Sequence, residues 1–160
     1  MSVTYRKIAV EDLGEVEKLH VESPGSPELQ EMKQAFETGE FATISAFKGD
    51  RIFEDNMEMG QKLFHILQGM GLRAIPIRGH WEGSIEYSFF VVGISNHDVF
   101  KLSQDFKQDA VLWGEKGHFW LMNTDGGSII TEGTEFHIVQ PGESFQNYSE
   151  TFGGEKFVLQ

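Results

Sequence analysis

The densest grouping of residues able to do chemistry lies between Arg78 and Glu86, in the run Arg78-Gly79-His80-Trp81-Glu82-Gly83 followed by Glu86. His80-Trp81-Glu82 is an H-x-E, which supplies a ligand and a proton shuttle to zinc deaminases only together with a P-C-x-x-C pair. The chain has no cysteine, so that chemistry is excluded. His80, Glu82 and Glu86 still offer a His-and-carboxylate donor set for zinc, against the plain alternative of a polar turn facing water. Glu82 and Glu86 also form a carboxylate pair of the kind used in acid–base work, with Arg78 and His80 beside them. Gly79, Trp81 and Gly83 suggest a ligand-contacting loop over 78–86. Glycines serve any tight turn, however, and Trp81 packed over a sheet edge explains the same residues.

Other motifs exclude more than they select. Gly93-Ile94-Ser95-Asn96-His97 stands where a hydrolase carries G-x-S-x-G, but His97 replaces the last glycine. Ser95 reads better as a helix N-cap, with Asp98 three residues on. No G-x-x-x-x-G-K-[ST] occurs, which removes P-loop phosphate chemistry. Gln68 to Arg73 has the glycines of an acetyltransferase pyrophosphate loop, yet it ends a helix instead of opening one.

The elements that must position these residues are read from periodicity. Glu11 to His20 predicts a short amphipathic helix, and Ser26-Pro27 opens a second carrying Leu29, Met32 and Phe36. Phe41 to Phe47 is a strand candidate. Asp55, with Glu58 three residues on, caps a helix with Met59, Leu63, Ile66, Leu67 and Met70 as its apolar stripe, and Gly71 stops it. Strands follow at Leu72 to Ile77 and Tyr87 to Ile94, then a helix with Val99, Leu102 and Phe106. Ala110 to Trp113 and His118 to Met122 are two further strands. This order predicts an α+β fold, a split βαββαβ ferredoxin-like sandwich with N-terminal helices and a C-terminal β extension. Asp125-Gly126-Gly127 and Glu132-Gly133 predict turns around short hairpin strands at Ser128–Thr131 and Glu135–Val139, and the stretch after Pro141 reads as a loop or strap. Three zones result: a helical segment over 1–40, an α/β core over 41–122 and an acidic strap over 123–160.

Composition narrows the functional classes. The 160 residues carry 25 acidic and 13 basic side chains, a net charge of −12, with 39% hydrophobic residues and 14 Phe. That is ample for a core. Nucleic-acid binding is disfavoured because phosphates must be met by Lys and Arg, and anionic membranes are disfavoured for the same reason. The charge sits at the ends: net −5 over 1–40, −2 over 41–122 and −5 over 123–160. The longest apolar runs, such as Phe89 to Val92, are far below the roughly 20 residues of a membrane span. The opening lacks a signal peptide's apolar stretch, so a cytoplasmic protein is expected.

FATISAF, an Asn56-led helix, GHWEGSIEYSFFVVGI and QDFKQDAVLWG together resemble the bacterial and phage domain of unknown function 3293 over about residues 41–114. The matching positions are Asn56, Gly79, Trp81, Glu86, Ser88, Phe89, Phe106, Gln108, Ala110 and Val111. The resemblance implies no activity, but it marks Asn56, Glu86, Ser88 and Gln108 as polar residues in an apolar frame. Glu86 and Ser88 fall on one strand face. The reading that follows is a non-catalytic module, from a phage or mobile element, that binds a protein partner through acidic surfaces and needs no cofactor or metal. The alternative is a small-molecule or nucleotide binder, or an enzyme, built on the 78–86 loop with Asn56, Glu86 and Gln108.

Overall fold

The structure, a computed structural model, describes residues 25–160. The helix expected over Glu11 to His20 lies outside them. Described elements run α1 (Gly25–Thr38), β1 (Glu40–Ser45), α2 (Phe53–Gly69), β2 (Arg73–Trp81), β3 (Ser84–Val92), α3 (Asn96–Asp105), β4 (Ala110–Glu115), β5 (His118–Asn123), β6 (Ile129–Gly133), β7 (Phe136–Ile138), β8 (Tyr148–Thr151) and β9 (Lys156–Leu159). The nine strands form one antiparallel sheet in the order β6-β5-β4-β1-β3-β2-β8-β9-β7.

Side-chain alternation gives the sheet two buried faces. On one, Ala42, Ile44, Phe89 and Val91 pack against Met57, Leu63 and Leu67 of α2 and Val99 and Leu102 of α3. On the other, Phe41, Ile75, Ile77 and Phe90 pack against Leu29, Met32 and Phe36 of α1. The Phe36 ring lies 6.4 Å from Phe119 of β5 and 6.0 Å from Phe136 of β7, strands from opposite ends of the sheet. One ring can reach both only because the sheet curls around α1. Residues 134 and 135 link the edge strands β6 and β7, and the Thr134 and Glu135 amides both donate to the Gln160 carbonyl.

The ferredoxin-like sandwich is therefore not the architecture. The sheet is a curled, nine-stranded half-barrel with three helices among the described residues. The expected alternation of strands and helices is there, but strands continue past both edges of the middle four, and α1 fills what a two-layer sandwich would leave open. The hairpin expected from Ser128 to Val139 is absent as well: β6 pairs with β5, and β7 pairs with β9. Two of the strands, β8 and β9, occupy the stretch read as a strap.

Local signals explain several element ends. Ser95 Oγ accepts the Asp98 amide at 3.1 Å, as expected of an N-cap. Gly71, at φ 75°, ends the turn after α2, with its amide on the Gln68 carbonyl. The start of α2 differs from expectation. Its N-cap is Ile52, with no side-chain cap, and Asp55 lies inside the first turn. Phe53 packs edge-on against Phe47 and Tyr87, so aromatic packing sets that start ahead of the capping box. The buried stripe of α2 is also turned from the expected one, leaving Ile66 and Met70 exposed.

Candidate functional site

The segment 78–86 is not a loop. Arg78 to Trp81 extend β2, Ser84 to Glu86 open β3, and Glu82-Gly83 form a two-residue turn with φ of 48° and 84°. Two positive φ values in succession suit a primed hairpin turn, and the glycine makes the second inexpensive. The Glu82 amide donates to Asn147 Oδ1 at 2.9 Å, tying the tip to the chain before β8.

Strand register divides the candidate residues between two faces. His80 pairs with Ile85 and Gly79 with Glu86, so His80 and Glu86 point to opposite sides. With Glu82 in the turn, these three do not converge on one ion. Among the described residues, no group of three or more His, Asp or Glu side chains is placed to hold a metal.

On the face shared with α2 and α3, Glu150 of β8 meets two side chains of β2: Arg78 Nε at 3.3 Å and His80 Nε2 at 3.0 Å. His80 stacks on Tyr148 at 4.3 Å, and Arg78 lies 5.1 Å over the Phe152 ring. Chemically, this cluster clamps β8 to β2.

Asn56 and Gln108 meet at the β1–α2 loop. Asn56 Oδ1 accepts the Lys48 amide at 2.9 Å, and its Nδ2 donates to the Lys48 carbonyl at 3.0 Å. Gln108 Nε2 donates to the Phe47 carbonyl at 3.0 Å. Both side chains thus spend their amides on backbone groups of one loop. Beside them, Lys48, Lys107, Gln108, Asp109 and Asp125 line an open depression of about 410 Å³ with charges of both signs.

Glu86 and Ser88 share the concave face, and the register adds a residue the sequence did not single out. Ser45, the last residue of β1, pairs with Ser88 and is buried. Its hydroxyl donates to the Tyr87 carbonyl at 3.0 Å and accepts the Phe47 amide at 2.9 Å. Because β1 stops there, the Glu86 side chain overhangs its end. Across from Glu86 stand Gly79 and then Ser149, and one row inward Ser88, Ile77 and Thr151. The apolar concave floor thus gives way at this end to a shelf of small and polar residues around one carboxylate. Trp81, 60% exposed, lies on the same face one row outward.

Burial pushes the Glu86 carboxyl above the usual carboxylate range, and the Ser45 and Ser88 hydroxyls pull it part of the way back. The residue as a whole is exposed, so solvent keeps that rise modest. A crowded carboxylate next to two hydroxyls, with space over a glycine, is suited to a small cationic group. Sequence could point to Glu86 and Ser88 by their spacing of two. Ser45, Ser149 and Thr151 come from strands whose register no local pattern states.

The polar shelf thus lies at one end of the concave face of the curled antiparallel sheet. The S-Adenosylmethionine lyase family model matches residues 42–160, and the chain belongs to that family. No curated protein matches it. The match overturns the resemblance to the domain of unknown function 3293, which rested on short separate segments from Asn56 to Val111. The non-catalytic phage module that acts by protein–protein interaction falls with it, since the family is one of enzymes. The match begins within β1 and runs through β9, so it takes in the strands that carry Ser45, Glu86, Ser88 and Ser149. Among the described residues, no helix is long and apolar enough to cross a membrane.

Proposed function

We propose that this protein cleaves S-adenosylmethionine at a carbon–sulfur bond without water, on the concave shelf around Glu86. The family match carries the reaction class. The crowded carboxylate among Ser45 and Ser88 supports the location.

Elementary chemistry restricts the bond. Cleavage by a lyase must leave the departing carbon in a ring or a double bond. The methyl group can form neither, which leaves the amino-acid arm and the ribose arm. The amino-acid arm carries its own nucleophile. Its carboxylate oxygen bonds to the carbon bearing sulfur and closes a five-membered lactone. The carbon–sulfur bond breaks, and its electron pair goes to sulfur as a neutral thioether nucleoside. No proton, oxidant or water is consumed.

The sulfonium loses its positive charge in this step. A carboxylate held against sulfur would stabilise the ground state more than the transition state and slow the reaction. Glu86 is better used on the α-ammonium, whose charge does not change. Held there, it orients the arm so that the substrate carboxylate folds back onto the reacting carbon, and the gain is one of proximity. The Ser88 hydroxyl steadies the Glu86 carboxyl in turn, beside Ser45, whose proton is held by the Tyr87 carbonyl. A cytoplasmic location goes with this reading, supported by the cysteine-free composition.

The test is product analysis. Purified protein incubated with S-adenosylmethionine should release a thioether nucleoside and a lactone in equal amounts, followed by liquid chromatography and mass spectrometry. Unchanged substrate, or release of the free hydroxy acid from the first turnover, would overturn it.

A further inference from the structure

We infer that Trp81 is the nucleobase platform of this site, a specificity-determining residue that stacks the adenine ring of the sulfonium ligand; this rests on the function proposed above. Trp81 is a large aromatic left 60% exposed at the end of β2. Register puts it on the concave face with Gly79 and Glu86. Its partner across the hairpin is Ser84, too small to cover an indole. On the other side, β8 pairs with β2 only as far as His80 opposite Tyr148, so among the described residues no strand residue pairs with Trp81 there, and Asn147 continues the chain toward the turn.

The tip is held, not loose. Glu82-Gly83 close a two-residue turn, and the Glu82 amide is fixed by Asn147 at 2.9 Å. On the other face of β2, the Glu150 bridges to Arg78 and His80 hold the strand. An exposed aromatic on a braced strand end loses little freedom when a flat ring lands on it, which favours stacking.

Spacing agrees. Trp81 and Glu86 lie on neighbouring strands two residues apart in register, which sets their backbones about 8 Å from each other. A folded sulfonium nucleoside spans a similar distance from its base to its amino-acid arm. Adenine on Trp81 therefore leaves the ammonium at Glu86, with Gly79 beneath the ribose and sulfur. Gly79 has no side chain there to exclude them.

The test compares wild type with Trp81→Phe and Trp81→Leu, using S-adenosylmethionine for turnover and adenosine as the binding probe. In Trp81→Leu the KM should rise about tenfold, the loss of one base–aromatic stack, with kcat unchanged. Trp81→Phe keeps an aromatic face and should restore KM to within about threefold of wild type. Adenosine should quench wild-type tryptophan fluorescence, and the quench should vanish in Trp81→Phe, where Trp113 and Trp120 remain. An unchanged KM in Trp81→Leu, or a quench that survives in Trp81→Phe, overturns the inference. If wild type does not consume S-adenosylmethionine, the cleavage reading fails, and the adenosine quench alone decides the platform. A wild-type protein that adenosine does not quench would leave Trp81 a surface for some other partner and overturn it as well.

Discussion

In the proposed reaction Glu86 orients the substrate, and its environment makes two predictions. Binding an ammonium needs the ionised carboxylate, so kcat/KM should rise with pH through the elevated pKa of free Glu86 and level off above it. Glu86→Gln should remove that limb of the pH profile along with most of the activity. The same shift has a stability consequence. In the unfolded chain Glu86 ionises near its ordinary 4.5, and in the folded protein it ionises higher. Between those values the folded state holds a proton that the unfolded state has lost, so stability falls as pH rises through the window. The penalty is absent below the ordinary value and complete above the raised one. Glu86→Gln should therefore raise the melting temperature at neutral pH and leave it unchanged near about pH 3, read by calorimetry. A variant less stable at neutral pH would mean that the carboxylate is structural.

At the scale of elements, the loop after β1 and the close contacts of the curl carry the framework. Asn56 holds both the amide and the carbonyl of Lys48, three residues beyond Ser45. Asn56→Ala should cost about 1–3 kcal/mol in chemical denaturation, because two part-buried backbone groups lose their partner. Gly114 marks a close approach: a methyl there would come within 2.5 Å of the Phe41 ring and nearer still to the His118 carbonyl. Gly114→Ala should destabilise by about 1–3 kcal/mol, with lost cooperativity if the curl cannot absorb it. These elements also mark what the sequence could convey. Ser95 and Gly71 were legible because a cap or a positive φ is decided by a few adjacent residues. The start of α2 was not, because Phe53 answers to Phe47 and Tyr87 and not to Asp55. Of the two readings of 78–86, the turn between strands holds and the ligand-contacting loop does not, because glycines at 79 and 83 serve a strand end and a hairpin turn equally well. Asn56 and Gln108 stand out in the sequence as polar residues, and their partners are backbone groups of one loop.

For the whole molecule, the half-barrel was hidden because nothing local distinguishes Ile129–Gly133 and Phe136–Ile138 as opposite sheet edges from a hairpin. Only the convergence of Phe119, Phe136 and Phe157 around Phe36 and its neighbours records the curl, and those residues are far apart in sequence. Charge was legible throughout. At a net charge of −12 the protein favours the approach of a ligand that is cationic overall, as the proposed substrate S-adenosylmethionine is with its sulfonium, ammonium and carboxylate. Its kcat/KM should fall about two- to fourfold between low and high salt, with kcat constant, because screening shortens the range of that attraction. Insensitivity to salt would mean that the acidic surface plays no part in capture. The central claim is that Glu86 on the concave shelf orients S-adenosylmethionine for intramolecular cleavage. Its most direct test is single-turnover cleavage of S-adenosylmethionine by wild type and Glu86→Gln at equal saturation. The wild type should release thioether nucleoside and lactone together, with Glu86→Gln slower by about a hundredfold or more. Equal rates in the two proteins would contradict it.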